Sequence, residues 1–375
     1  MGKRKNISES GILIFSGYNN RAIISFLRTI SNKEIKFAVI ASSMKDEIFN
    51  TDYEEYVTSI RSKKELNKDD IKNCIDESKK KLNLNHFYIV PSTESLNRFF
   101  LDEKPLFKSL NVDMPIVNDS IYKIFSDKKA FSDLCKDNNL KIPKEYDNIS
   151  KEIIPFVAKP KTYISKGGNS LIPIIIRNDA DLKCFNQNPN KDQFYYQEYV
   201  GGNSYYLLYY LSNNNSVFKL SMKNILQQPE GKSILMAEVS NIHEENISKR
   251  YEALLKKMNY KGLIMIELKK FKNEYFMIEA NPRFWGPSQL FVDANYNLFN
   301  AFLNDLYDVN YPIKTGELNK NAKYFWSSGF SNDNLSEVKC HVDHKDSLNI
   351  LKNLDLFINN DLFNRSDIKK RKNNG

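Results

Sequence analysis

The sequence predicts an α/β chain, with a parallel-sheet lobe at its amino end and mixed α+β lobes after it. Three observations carry this expectation. Gly11-Ile12-Leu13-Ile14-Phe15-Ser16-Gly17 is a continuous apolar run ending in a small-residue turn. Ala22, Ile23, Phe26, Leu27 and Ile30 then recur at helical spacing, and Lys36-Phe37-Ala38-Val39-Ile40-Ala41 is a second apolar run. Strand, helix and strand within about thirty residues is the spacing of a parallel βαβ unit.

The next elements follow in order. His86 to Val90 reads as a further strand of that lobe, after a polar helical stretch. From Asp119 to Cys135, apolar side chains at Ile121, Ile124, Phe125, Phe131 and Leu134 suit helical packing interrupted at Ser126-Asp127-Lys128-Lys129. Pro155 and Pro160 bound a short strand. A Gly-rich loop, Ile164-Ser165-Lys166-Gly167-Gly168-Asn169-Ser170, leads into β-type residues from Leu171 to Ile176, and Phe194 to Val200 is another strand closed by Gly201-Gly202. Tyr205–Leu211 and Ser216–Leu220 flank Ser212-Asn213-Asn214-Asn215 as an antiparallel hairpin. Ile247, Tyr251, Leu254, Leu255 and Met258 mark an amphipathic helix. Gly262–Leu268 and Glu274–Ala280 form a second hairpin bridged by Lys269 to Asn273, and Asn297 to Leu306 forms a helix. Beyond Tyr311 the pattern weakens, and Asn359 to Gly375 is expected to fray.

Composition narrows the function classes. With 375 residues, 41% hydrophobic and 13% aromatic, the chain has the material for several packed lobes and not for disorder. Its 55 Lys and Arg against 46 Asp and Glu give a net charge of +9. That excess is spread along the chain, which suits attraction of nucleotides and small acids and argues against a nucleic-acid-binding face. Cys74, Cys135, Cys184 and Cys340 are far apart, so neither a disulfide framework nor a zinc knuckle is expected, and a reducing cytoplasmic setting is. No run is long and apolar enough for a membrane span. Cys340, His341, Asp343 and His344 read as a surface turn.

The strongest constellation is Glu267 with Glu279 and Asn281. On a hairpin, Glu279 and Asn281 share a face and Glu267 lies across from them. Two carboxylates and an amide oxygen suit Mg²⁺ or Mn²⁺ bridging substrate phosphates. Lys159, between Ala158 and Pro160 at the end of an apolar strand, is costly to bury without an anion. The loop at Ser165, Lys166, Gly167 and Gly168 offers backbone N–H groups to phosphate oxygens, without the P-loop pattern. Trp285 suits either a substrate stack or a ring filling the core below the metal loop.

In order and spacing these features resemble the ATP-grasp superfamily, and its carbamoyl-phosphate-synthase-like carboxylate-amine ligases in particular. The metal strand of that branch reads Glu-x-Asn-Pro-Arg-x-x-Gly, which stands here as Glu279-Ala280-Asn281-Pro282-Arg283-Phe284-Trp285-Gly286. Asp127-Lys128 and Val157-Ala158-Lys159-Pro160 match its two nucleotide lysines, and Gln197-Glu198-Tyr199-Val200 its adenine hinge. The likeness covers about residues 119–299. It implies a pre-grasp domain over 1–118, a small ATP lobe over 119–202, a large lobe over 203–310 and a C-terminal segment over 311–375. It also implies ATP and Mg²⁺ as cofactors, a small carboxylate and an amine as substrates, Arg283 and Lys159 as catalytic groups, and the homodimers common in such enzymes. Two departures stand out. Asn203-Ser204 supplies no ribose-binding acid after the hinge glycine, and the basic stretch before the metal hairpin holds Lys219, Lys223 and Gln227 to Ser233 where the branch is often arginine-rich. A non-catalytic nucleotide binder of the same fold is the alternative.

Overall fold

The computed structural model describes residues 7–168, 170–330, 338–340 and 350–369. The amino-terminal lobe holds β1 (Gly11–Phe15), α1 (Asn20–Ile30), β2 (Phe37–Ala41), β3 (Val57–Ile60), α2 (Lys68–Leu82), β4 (Phe87–Ile89), α3 (Glu94–Asp102), α4 (Lys104–Ser109) and β5 (Val112–Asp113). Its five strands are all parallel in the order β3-β2-β1-β4-β5. Ile12 and Ile14 enter one core while Leu13 and Phe15 enter another on the opposite face. Burial of both faces explains why β1 is continuously apolar and not alternating.

A second lobe begins with α5 (Asp119–Ser126) and α6 (Lys128–Asp137), separated by an extended Asp127. It continues through β6 (Glu145–Tyr146), β7 (Phe156–Pro160), β8 (Ile174–Ile176), α7 (Asp179–Asn186) and β9 (Phe194–Glu198). These strands form an antiparallel sheet in the order β6-β9-β7-β8. Two expected strands are shorter than their composition implied. The Leu171 run pairs only from Ile174, after Pro173, which has no N–H to give a ladder, and the Phe194 run leaves the sheet after Glu198.

The largest sheet comprises β10 (Asn203–Leu211), β11 (Val217–Gln227), β12 (Ile234–Val239), β13 (Gly262–Phe271), β14 (Glu274–Asn281) and β15 (Lys323–Phe325) in the order β14-β13-β10-β11-β12-β15, with β16 (Lys339–Cys340) beside β11. Helix α8 (Asn246–Lys257) lies between β12 and β13 in sequence; α9 (Gln289–Asp293), α10 (Leu298–Tyr307) and α11 (Leu354–Asn359) complete the chain. Tyr206, Leu208 and Tyr210 of β10 face the core shared with α1, α9 and α10, and Leu207, Tyr209 and Leu211 face the one shared with α5, α6 and α8. The β13–β14 hairpin is tighter than expected. Phe271 pairs with Glu274 across Lys272 and Asn273, both at positive φ, the two-residue turn whose twist fits a hairpin.

The carboxyl end also departs from expectation. Residues 359–369 dock instead of fraying: Leu362 is fully buried, Arg28 pairs with both Asp367 oxygens at 2.8 Å, and Arg365 pairs with both oxygens of Asp293. Backbone bonds from Asp52 N to Asp367 O and from Lys369 N to Asn50 O fix the segment against the amino-terminal lobe. His341, Asp343 and His344 lie outside the described residues. No described helix is long and apolar enough to cross a membrane.

Candidate functional site

The site is built where the two antiparallel sheets meet. In β13, Leu263 and Met265 face the α1 side while Ile264, Ile266 and Leu268 face the α8 side, so Glu267 turns with Met265 toward the cleft. On β14 the ladder slips by one residue. Glu267 pairs with Glu279 but Leu268 pairs with Met277, leaving Ile278 as the extra residue of a bulge. Met277 is therefore buried in the α8-side core, while Glu279 and Asn281 face the cleft with Glu267. Without the bulge, Met277 and Glu279 would share a face.

The carboxylates sit in contrasting surroundings. Ser204 Oγ donates to Glu267 Oε1 at 2.9 Å, and burial followed by the charge of Glu279 pushes the Glu267 carboxyl up. Burial acts upward on Glu279 too, but Lys128, Asn281 and Lys159 outweigh it and bring its pKa down to about 2. Lys128, at the start of α6, is ion-paired with Glu279, and Asn281 Nδ2 donates to Glu279 Oε1 at 3.0 Å. Lys159 Nζ donates to the Ile278 carbonyl at 2.9 Å; burial first, then the charge of Lys128, lowers its pKa to about 8. Arg283 reaches Asn281 Oδ1 at 3.0 Å and the Phe284 carbonyl at 2.9 Å, while its Nε is buried without a partner.

Two cavities share this wall. The inner one, ≈ 330 Å³, lies between Val157, Lys159, Ile175, Glu198, Tyr199 and Val200 on one side and Glu267, Lys269, Ile278 and Glu279 on the other. The outer one, ≈ 480 Å³, opens toward the amino-terminal lobe, where Tyr18, Arg21, Thr93 and Glu94 face Asn281, Arg283 and Trp285. Glu267, Glu279, Gln227, Gly231 and Lys232 line both.

The structure brings Lys128, Lys159, Glu198, Tyr199, Val200, Glu267 and Glu279 together at the inner cavity, and Asn281 and Arg283 at the outer one. It does not bring Gln197 in. That side chain shares the face of its register partner Val157 but is buried beneath α6, donating to Ser132 Oγ at 3.1 Å. Lys223 pairs in register with Tyr205, on the face opposite Tyr206 and Glu267, so it too points away from the cleft. Ser165, Lys166, Gly167 and Gly168 line neither cavity. Lys166 Nζ pairs with Asp192 at 2.9 Å, although Tyr163 before the loop and Ile172 after it do reach the two cavities. Trp285 is a core ring, 1% exposed and edge-on to Phe291, with one side on the outer cavity.

Sequence reading overlooked Arg21, Glu94 and Arg98. Arg98 ties Glu94 of α3 to Asp127 at 2.6 Å each, one residue before Lys128, and lies 5.3 Å from the Tyr163 ring centre. The Arg98–Glu94 pair is an ordinary i, i+4 helix pair, and the contacts that bring these three residues to the cavity are to partners far away in sequence.

The donor set fits a hard divalent ion and a polyphosphate. Among the described residues no three His, Cys, Asp or Glu side chains converge, so two carboxylates and an amide oxygen are what is offered. Mg²⁺ accepts that number when phosphate oxygens and water complete its shell. A buried Glu267 facing Glu279 is relieved by a cation, and the two lysines by an anion.

No protein-family model matches the sequence, and no curated relative matches it either. Solved structures do. An N5-carboxyaminoimidazole ribonucleotide synthetase in complex with ADP aligns at TM-score 0.62 and 12% identity, over 85% of this chain and 81% of its own. Biotin carboxylase from Campylobacter jejuni aligns at 0.61 and 14% identity, over 81% and 72%. The biotin carboxylase domain of the Hydrogenobacter thermophilus 2-oxoglutarate carboxylase, in complex with MgADP, ADP and bicarbonate, aligns at 0.61 and 11% identity, over 84% and 73%. At these identities the likeness concerns architecture, and with the sheets described above it shows that the chain has an ATP-grasp-like fold.

Proposed function

We propose that the protein is an ATP-dependent ligase that phosphorylates a small carboxylate and passes the acyl group to an amine, releasing ADP and phosphate. The observation that carries this reading is the shared wall: the acidic pair Glu267 and Glu279 stands between a nucleotide-sized inner cavity and an outer cavity holding Arg283. In this reading residues 1–118 supply much of the acceptor side, 119–202 the small nucleotide lobe, 203–310 the large lobe, and 311–375 a C-terminal segment whose residues 359–369 brace the amino-terminal lobe.

The roles follow from charge and position. The inner cavity takes the adenine, with Glu198, Tyr199 and Val200 at its hinge and apolar Val157 and Ile175 against the base. Mg²⁺ held by Glu267, Glu279 and Asn281 would offset charge on the β- and γ-phosphates. Lys128 and Lys159 add positive charge on the same oxygens. Arg283, with an unpaired Nε and a planar fork, orients the acid's carboxylate or the transferring phosphoryl group. The carboxylate oxygen attacks the γ-phosphorus, the bond to the β-phosphate oxygen breaks, and ADP leaves. The amine then attacks the acyl carbon, and phosphate leaves as the amine loses its proton. In this reading the Gly-rich loop, which lines neither cavity, closes over this step and keeps water from the acyl phosphate.

The test is hydroxamate formation from pooled carboxylic acids with Mg-ATP and hydroxylamine, with ADP release followed in parallel. ATP-dependent hydroxamate that disappears in Glu279→Gln is the expected result. Bicarbonate belongs among the acids, because a structural relative binds it. Folded protein that binds ATP but yields neither hydroxamate nor acid-stimulated ADP would overturn the reading in favour of a non-catalytic nucleotide binder.

A further inference from the structure

Arg21 lies at the far wall of the outer cavity, on the first turn of α1. Its guanidinium stacks 4.1 Å from the Trp326 ring centre, and on the other side it lies against Gly286, where a Cβ would meet Cζ at 2.6 Å. Its polar contacts are all to neutral acceptors: Ser233 Oγ at 2.9 Å, the Ile234 carbonyl at 3.3 Å and the Tyr324 hydroxyl at 3.4 Å. Among the described residues no carboxylate pairs with it. Two nearby arginines differ, Arg28 and Arg98 each being engaged by carboxylates, while Arg283 across the cavity likewise meets only neutral acceptors. A planar cation is thus held rigidly between an indole and a glycine, paired with no carboxylate among the described residues, facing a cavity with Arg283 and Lys232 on its other walls.

Of the carboxylates on that cavity, Glu94 is already taken up by Arg98 at 2.6 Å and the Tyr122 hydroxyl at 2.7 Å, and Glu267 and Glu279 belong to the shared wall. We infer that Arg21 binds a carboxylate other than the one being activated, so that at least one of the two joined substrates carries a carboxylate that survives the reaction. This rests on the ligase reading and narrows its substrate class. A guanidinium fork matches a carboxylate with two parallel N–H donors, and its stacking prevents collapse onto a nearby acid. Such a carboxylate belongs either to a diacid or to an amino acid serving as the amine.

Trp285 and Trp326 are the chain's two indoles, and one lines the outer cavity while the other carries Arg21. Their emission therefore reads occupancy without turnover. Titrating the full chain, with Mg-ADP present, with succinate, glutarate and aspartate against butyrate and alanine separates the two sources. A response to the diacids that is weakened about 10- to 100-fold in Arg21→Gln places the extra carboxylate on the acid. A response to aspartate and alanine alike, equally lost in Arg21→Gln, places it on the amino acid. In hydroxamate assays the first case keeps its diacid preference, and in the second Arg21→Gln spares hydroxamate but impairs coupling to an amino acid. Gly286→Ala, which displaces the guanidinium without removing it, should reproduce the loss if Arg21→Gln does not fold. Equal binding of every ligand class, unaffected by either variant, would overturn the inference and leave Arg21 a clamp between α1 and the Trp326 segment. Carboxylate selectivity without ATP-dependent product would instead overturn the ligase reading alone.

Discussion

Lys159 Nζ lies 2.9 Å from the carbonyl oxygen of Ile278, the extra residue of the bulge that turns Glu279 into the cleft. A small-lobe lysine is thereby anchored to the backbone irregularity that creates the acidic site on the large sheet. The contact brings β7 of one lobe onto β14 of the other at the shared wall of the cavities.

The first prediction concerns protons. Burial brings the Lys159 ammonium down to about 8. Phosphate binding favours its charged form, so above pH 8 nucleotide binding should take up a proton. The dissociation constant of Mg-ATP should rise about tenfold per pH unit there, up to the raised pKa of the bound state. In the free protein the sign is opposite. A lysine whose folded pKa lies below the usual lysine value of 10.5 destabilises the fold at low pH, and stability from this group recovers as pH rises from about 8 to 10.5. Calorimetry in two buffers of different ionisation enthalpy checks the uptake, which should vanish in Lys159→Met; an uptake unchanged in that variant would assign it elsewhere.

Glu267→Gln separates activity from stability. The carboxyl is pushed up by burial and by Glu279, so a neutral amide that keeps the Ser204 bond removes repulsion. The variant should melt at or above the wild-type temperature near neutral pH, while ATP-dependent turnover falls at least ~10²-fold through loss of a metal ligand. A clear drop in melting temperature would show that the carboxylate is held mainly for structure.

Much of this was legible beforehand, for identifiable reasons. The β13–β14 hairpin carries its turn, its apolar alternation and its acidic residues within one short stretch, so local pattern was enough to place Glu267 opposite Glu279. Sequence could not show the bulge, because Ile278 looks like any other strand residue and only pairing register reveals it. Lys223 faces away for a related reason: in a strand buried on both faces, residue type does not say which face meets the cleft. Gln197 instead keeps the face of Val157 and is covered by α6 through Ser132, a long-range contact. Arg21 and the docked tail depend on partners some 200 to 340 residues away, as in Arg21 with Ser233 and Arg28 with Asp367. No periodicity encodes such contacts.

Gly202 joins β9 to β10 at φ +82, and a Cβ there would lie 2.1 Å from the Lys270 carbonyl. Both the backbone conformation and the close approach of β13 require glycine. Gly202→Ala should therefore cost about 2 kcal/mol or more in chemical denaturation, since left-handed strain alone accounts for about 1 kcal/mol and the clash is with backbone. A smaller loss would mean that the β9–β10 connection shifts readily, which would weaken the case for a fixed hinge at Glu198 to Val200.

The last prediction concerns the brace formed by residues 359–369. Arg28 holds Asp367 at 2.8 Å and Gln289 at 3.0 Å, Gln289 holds Asp293, and Asp293 is held by Arg365. The chain of bonds runs from α1 through α9, which directly follows the loop carrying Arg283 and Gly286. Asp367→Asn should destabilise the protein by about 2–3 kcal/mol, as expected for breaking a largely buried pair. Burial alone would push the Asp367 carboxyl up, but its bonds and proximity to Arg28 hold it below the usual aspartate value of 3.8. Its contribution is therefore complete above that value and lost as pH falls through the lower folded one, so the gap between wild type and Asp367→Asn should close only in strong acid. Truncation after residue 358 removes Leu362 and both ion pairs, and should lower thermal stability and also the affinity for the acid substrate, since α9 and the Gly286 loop lose their backing. A truncated protein that melts lower but binds the acid unchanged would confine the brace to stability and detach it from the site.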